Sequence, residues 1–536
     1  GVDSLGCLPK TAWPPTYYSG RFSVSDPTTC TDFITTGYDA AVLADEFNKS
    51  YNGSPYTRYD GEDFRQLYRR RNDRTEHPDR PWVVQKNGKY MYYANFDWYD
   101  YLFDYTQPTW DHDLSISGGN EKFNYLVSGN HYTKEGLYAQ NTDKYTTNNL
   151  NMKFGTQVRP WLSINGAARL FHSNYRSPGY DFEDGGNIPN YTFHAMPFVT
   201  PYNPDGSSVY TTEVSGSAPA DGMAAAVSQG KAFSQLKQTQ YTTTIGGVIT
   251  PLKGWSIVGT FSYKRYHREK SFRSANITYS DAYGEMKTAT TGFFNDKLRE
   301  NSAVEEHYTY DLYTTYERSV NRHNFRILAG MNHEAYRYKL IYGAKSSLQS
   351  DYLNDLNLGT GVAEASGGQS RWALLGFFGR GTYDYAGKYL AEVNFRWDGS
   401  SRFPKHDRWG FFPSVALGWR ISEENFMEPV RKVIDNVKLR ASIGSLGNQA
   451  IADSYPYIQS LGLPLSTSYL MNGNKIYITN LGAPQSGDLT WETIITKNLG
   501  LDLGFFGNRL TATADFYIRD TKDMLIPGKE LPGVYG

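Results

Sequence analysis

Between Asn148 and Val158, apolar Leu150, Met152, Phe154 and Val158 alternate with polar Asn149, Asn151, Lys153 and Gln157. A period of two places one row on each face of a β-strand. After the tight Arg159-Pro160-Trp161 connection, Leu162 to His172 repeats the pattern, with Leu162, Ile164, Ala168 and Leu170 set against Ser163, Asn165 and Arg169. The two segments read as a hairpin. The same signal predicts Asp111–Ser117 with Phe123–Tyr132, Leu236–Thr250 with Trp255–Tyr266, and Ala303–Glu317 with Phe325–Tyr338. It continues through Trp372–Asp384 with Tyr389–Trp397, Pro413–Ile421 with Val437–Gly444, and Trp491–Gly504 with Leu510–Thr521, about fourteen strands in hairpin order.

The connections carry as much information as the strands. Those near Gly118, Pro160, Pro251, Asn321, Gly387 and Gly507 are a few residues long, and only Ser422–Asn436, which reads as a short helix, departs from this inside a hairpin. Between hairpins run the much longer Ser173–Gln235, His267–Asn301, Lys339–Arg371 and Ser445–Thr490. Strands of about ten residues with short turns at one end and long loops at the other predict an all-β fold, an antiparallel transmembrane β-barrel with periplasmic turns and extracellular loops. Trp161, Trp255, Tyr385, Tyr389, Phe505 and Phe506 recur at the short turns, where amphipathic rings suit the headgroup level. Glu392, Asn394 and Arg396 share a face opposite Ala391, Val393, Phe395 and Trp397, so the predicted interior is wet or filled by a polar plug.

Composition narrows the alternatives. The 536 residues carry a net charge of −1, which leaves no electrostatic footprint for nucleic acid. Aromatics reach 15%, with 44 Tyr, yet mean hydropathy is −0.58 and no apolar run approaches the ~18 residues of a membrane helix. Cys7 and Cys30 are too few for a disulfide scaffold. Gly1 begins no signal-like segment, so export is inferred from fold. Residues 1–100, with the alternating piece Tyr17–Val24 and the charged run Arg65–Arg80, are expected to hold first barrel strands and a long extracellular loop region. The run itself reads as a solvated loop or short helix. Residues 101–536 are the barrel, incomplete at its C-terminus.

Catalytic signatures are missing. There is no HExxH, no GxSxG and no Gly-Lys-Ser/Thr after the glycines at 359, 361, 367 and 368, and the carboxylate pairs Glu305-Glu306 and Glu423-Glu424 have no partner motif. The chain is read as a non-enzyme without cofactor or metal.

Several dense motifs resemble the SusC-like (SusC/RagA) TonB-dependent transporters of Bacteroidetes outer membranes. They are Tyr383-Asp384-Tyr385-Ala386-Gly387-Lys388-Tyr389-Leu390, the run from Asn394-Phe395-Arg396-Trp397 to Asp398-Gly399-Ser400-Ser401-Arg402-Phe403, and Phe412-Pro413-Ser414. Gly418-Trp419-Arg420-Ile421-Ser422, Lys438-Leu439-Arg440-Ala441-Ser442-Ile443-Gly444, Gly447-Asn448-Gln449, Leu489-Thr490-Trp491-Glu492 and Asp520-Thr521-Lys522-Asp523-Met524-Leu525 follow in the same order. Upstream, Ser115-Ile116-Ser117-Gly118-Gly119-Asn120-Glu121-Lys122 is similar to the family's first well-marked hairpin. The resemblance implies a barrel of 22 strands, a plug with a TonB box that contacts TonB-ExbB-ExbD, outer-membrane lipid around the wall, and a SusD-like surface lipoprotein as lid. Plug and final hairpins are not recognised here, so the chain reads as an interior piece of such a protein.

The implied function is active import, with an oligosaccharide as the leading substrate and a peptide as the alternative. An extracellular β-rich glycan-binding or adhesion protein and a passive porin are the rivals. Trp409, Phe411, Tyr455, Tyr457 and Tyr469, read as outer-loop aromatics, are candidates for stacking on ligand. Asn448 and Gln449 either bind hydroxyls or cap backbone groups, capping being favoured. Asp398, Gly399 and Arg402 read as a loop staple in which Arg402 pairs with Asp398.

Overall fold

A computed structural model describes residues 36–178, 195–210, 222–290, 294–431, 433–450 and 489–524, with short pieces between 454 and 481. Cys7, Cys30 and Tyr17–Val24 lie outside the described residues. The dominant element is one 14-stranded antiparallel sheet in which every strand pairs with its neighbours in sequence. Its first half is β1 (Thr109–Gly119), β2 (Phe123–Glu135), β3 (Lys144–Arg159), β4 (Leu162–Pro178), β5 (Phe233–Leu252), β6 (Trp255–Ser274) and β7 (Lys297–Val320). The second half is β8 (His323–Ser346), β9 (Glu364–Tyr385), β10 (Tyr389–Ser400), β11 (Trp409–Arg420), β12 (Ile434–Asn448), β13 (Glu492–Phe505) and β14 (Leu510–Lys522). Each predicted strand is present, and most are longer than their alternation. The one long hairpin connection folds as two 3-10 turns, Ile421–Glu423 and Asn425–Val430. The sheet is not closed: β1 and β14 each pair on one side only among the described residues.

Register shows why the strands align as they do. Phe154, Gly166, Ile245, Phe261 and Tyr310 lie side by side across β3 to β7, and Val393, Val415 and Ile443 across β10 to β12. A slip of one residue would turn every such row to the opposite face. These rows are exposed: Ile245 and Val393 each present more than half of their surface, as does Leu417 in the next outward row beside Val415. No second sheet packs on them, so the face-to-face core that a soluble sandwich requires is missing among the described residues. Tight turns close the opposite ends. Gly254, between β5 and β6, takes φ +81 with its Cα hydrogens against the Glu317 carbonyl, a position where a Cβ would approach to 2.3 Å.

Buried side chains gather instead at the long-loop end. The described part of residues 1–100 contributes α1 (Gly37–Asn52), α2 (Gly61–Arg70), the start of α3 (Trp98–Leu102) and a hairpin of Val83–Lys86 with Lys89–Tyr92, none of it hydrogen-bonded into the large sheet. Thr36 caps α1 and Gly53 ends it in the left-handed region, while Asp60 and Asp63 form a capping box on α2. Two cores join this region to the loops after β4 and β6. One holds Trp98, Leu102, Val227, Phe272 and Ile277; the other holds Leu67, Tyr92, Met196, Phe198 and Val209. Trp98 Nε1 donates to the Met196 carbonyl at 2.9 Å. The Arg65–Arg80 run is less solvated than its charge suggests. Leu67 anchors the inner stripe of α2, and Arg70 is buried beside it, donating to the carbonyls of Gln66 and Pro81.

Candidate ligand-facing wall

The face opposite the apolar rows is lined by charge and amide. On it Arg440 forks onto Asp502 at 2.8 Å and also reaches Asp515 at 3.2 Å, tying β12 to β13 and β14. Asn332 donates to Asp311 at 2.6 Å, Arg380 to Asn394 at 2.7 Å, and Asn130 to both Asp111 and Asp113. Opposite charges and amides on neighbouring strands satisfy one another while leaving the wall wet.

Higher on the same face, towards the long loops, the wall becomes aromatic. His307 lies 4.6 Å from the Tyr336 ring, Tyr336 stacks on Trp372 at 5.7 Å with 25° between planes, and the Arg402 guanidinium sits 5.3 Å from the Trp372 centroid. Tyr132, Tyr145 and Tyr175 form a second ladder at 6.3 and 6.4 Å spacing across β2, β3 and β4. Flat rings set among carboxylates and guanidinium can hold the apolar face of a sugar or a side chain while polar neighbours bond its edge. The sequence reading missed these rings. Their parity with Glu334 and Arg380 along the strands was the available signal.

The candidates named from sequence do not converge on one site. Trp409 and Phe411 are strand residues, not loop residues, and share the outward row with Trp397 and Phe395. Trp409 lies 4.8 Å from Trp397 and 6.3 Å from Phe377, and Phe411 lies 6.1 Å from Phe395. Alternation through Gly410 carries β11 further than the polar look of its start suggests, which turns both rings away from the interior. Asn448 Oδ1 accepts from the Ala450 amide at 2.9 Å, and its amide nitrogen faces Glu492 at 3.4 Å. Gln449 follows at the strand exit. Tyr455 and Tyr457 meet edge-on at 6.3 Å. Tyr469 lies in the short strand Leu465–Met471, its side chain outside the described residues. The staple is differently wired: the cation on Asp398 is Arg396, at 2.8 Å, because side chains two apart in a strand share a face. Arg402 lies on Trp372, and Gly399 lies beneath the Trp409 ring, where a Cβ would approach to 2.8 Å. Among the described residues no group of His, Cys, Asp and Glu is placed to hold a metal ion.

Residues 195–535 match the model of the TonB dependent receptor-like, beta-barrel family. The chain belongs to this family. The TonB-dependent receptor SusC of Bacteroides thetaiotaomicron is 28% identical over 452 residues, 81% of this chain and 43% of that protein. TonB-dependent receptor P3 of Formosa agariphila is 26% identical over 452 residues, covering 83% and 42%. The solved RagAB peptide transporter superposes with a TM-score of 0.62 at 22% identity, covering 82% of this chain and 47% of that one, a likeness of fold. This TonB-dependent receptor chain thus spans less than half the length of the curated relatives it matches. The resemblance to SusC-like receptors read from its motifs holds. As a receptor barrel of the outer membrane it turns its apolar rows to lipid, its short turns to the periplasm and its long loops outward.

Proposed function

We propose that this chain supplies wall and outer cap to an importer that captures an oligosaccharide beneath a SusD-like surface lipoprotein and admits it when TonB-ExbB-ExbD acts on a plug inside the barrel. The protein moves its substrate without converting it. Binding alone only redistributes populations, so uphill uptake draws on work delivered through TonB. The observation that carries the substrate class is the Tyr336–Trp372 stack, an inward ring platform at the loop end with Arg402 on its face. It supports a ligand presenting flat apolar patches edged by hydroxyls.

The test is titration calorimetry of the whole receptor, co-purified with its lipoprotein, against a panel of oligosaccharides and a panel of short peptides. Glycan binding weakened about three- to tenfold by Trp372→Ala is expected, the value of one stacking contact. Binding confined to peptides replaces the glycan reading with the peptide one, and glycan binding indifferent to Trp372→Ala removes the platform from the site.

A further inference from the structure

The outward face changes character at a sharp level. Tyr263, Tyr308, Ala335 and Ala373 lie side by side on β6 to β9, and the next outward row, two residues higher, reads Arg265, Glu306, Arg337, Arg371. Lys339 follows above Arg337. All four cations are exposed, and Glu306 is the one carboxylate in their row. That carboxylate already accepts from the Tyr263 hydroxyl at 3.0 Å. Arg337 and Arg371 are direct cross-strand partners, a like-charge pairing that costs free energy unless an anion sits between them. No ion pair engages Arg265, Arg337, Arg371 or Lys339 among the described residues.

Height decides what that anion is. From Tyr316, near the periplasmic turn, to Glu306 is about ten residues, or about 33 Å along the strand and about 25 Å along a barrel axis tilted by ~40°. That is the thickness of the apolar band, so the cations stand at the outer edge of the hydrocarbon. Below them the face offers rings to acyl chains: Tyr263 and Tyr308 lie 4.9 Å apart, and the Arg337 guanidinium sits 6.0 Å from the Tyr308 ring. Guanidinium forks at an interface match phosphate oxygens.

We propose that Arg265, Arg337, Arg371 and Lys339 form a binding site for the phosphate of an outer-leaflet glycolipid, whose acyl chains descend over Tyr308, Ala335 and Phe377. The site is independent of what the barrel imports. It is tested on the full-length receptor extracted in non-ionic detergent, by mass spectrometry and organic-phosphate assay of the lipid retained. R337Q/R371Q is expected to retain at least about tenfold less phosphorylated lipid, the value of losing charge-assisted bonds, while Lys253→Gln at a periplasmic turn retains as much as the parent. Heat-modifiable gel mobility reports that the barrel is intact. Should R337Q/R371Q fail to assemble, K339Q/R371Q carries the same expectation and leaves Arg337 on its ring. Equal retention in an assembled variant overturns the proposal. Complete displacement of the lipid by inorganic phosphate overturns the lipid as occupant and makes the row a free-anion site.

Discussion

At the scale of single residues, the cap is held by charges that the sequence places far apart. Lys86 donates to Asp60 at 2.8 Å and to Asp63 at 2.7 Å, joining the small hairpin to the start of α2. Lys86, with the amides of the first helical turn, holds the Asp60 carboxyl down at about 2, against an ordinary 3.8. A depressed carboxyl stabilises the fold above its unfolded value and loses that contribution as pH falls through its folded one. Protection of the first-turn amides of α2, taken as exchange relative to the intrinsic rate at each pH, is therefore expected to fall as pH drops from 3.8 towards about 2, and Lys86→Met should shift that loss to higher pH. An acid profile identical in parent and variant would count against the pair as the anchor of α2. Phe403 makes the comparable apolar anchor on the other side of the rim, fully buried between Trp491, 5.3 Å away, and Phe412.

At the scale of elements, every strand is a choice of which row meets hydrocarbon. Leu417 lies outward on β11, opposite Ala391 and Ala441, whereas Ser442, opposite Ala416, lies inward. Val415→Arg, two residues further from the turn on the same outward face and near the middle of β11, is expected to cost about 2–4 kcal/mol of barrel stability and Ser442→Arg close to nothing. Heat-modifiable mobility against temperature measures both, and equal costs would mean that the faces are misassigned. This two-fold periodicity is also why so much of the sheet was legible: Leu150, Met152 and Phe154 declare their face without any knowledge of the partner strand. Strand ends were not legible. β7 and β8 each run 24 residues, well beyond the alternation at Ala303–Glu317 and Phe325–Tyr338, because above the apolar band both faces are wet and the period carries no signal. The cap was hidden for another reason, since Leu67, Tyr92, Phe198 and Val209 become neighbours only through tertiary packing. Trp372 and Tyr336 escaped notice because aromatic residues suit lipid-facing and inward rows alike.

At the scale of the whole molecule, the sheet carries two edges, β1 and β14, that have no partner strand among the described residues. In hydrocarbon each unpaired backbone group costs several kcal/mol, so a membrane-embedded wall requires a partner strand along both edges. The wall is also uneven in height. β7 and β8 rise to Lys297 and Ser346, while β10 stops at Ser400 and β11 begins at Trp409. About nine further residues carry the tall pair about 23 Å past the lipid edge at the usual tilt. A single cysteine at Ser347, introduced into the full-length receptor, should therefore react with an impermeant maleimide on intact cells, whereas one at Pro160 should not. The reverse labelling would invert the orientation. From outside, the described strands of this rim form a ramp with one high shoulder at Ser346, the edge of the wall that a large visitor would meet before the low side by Ser400.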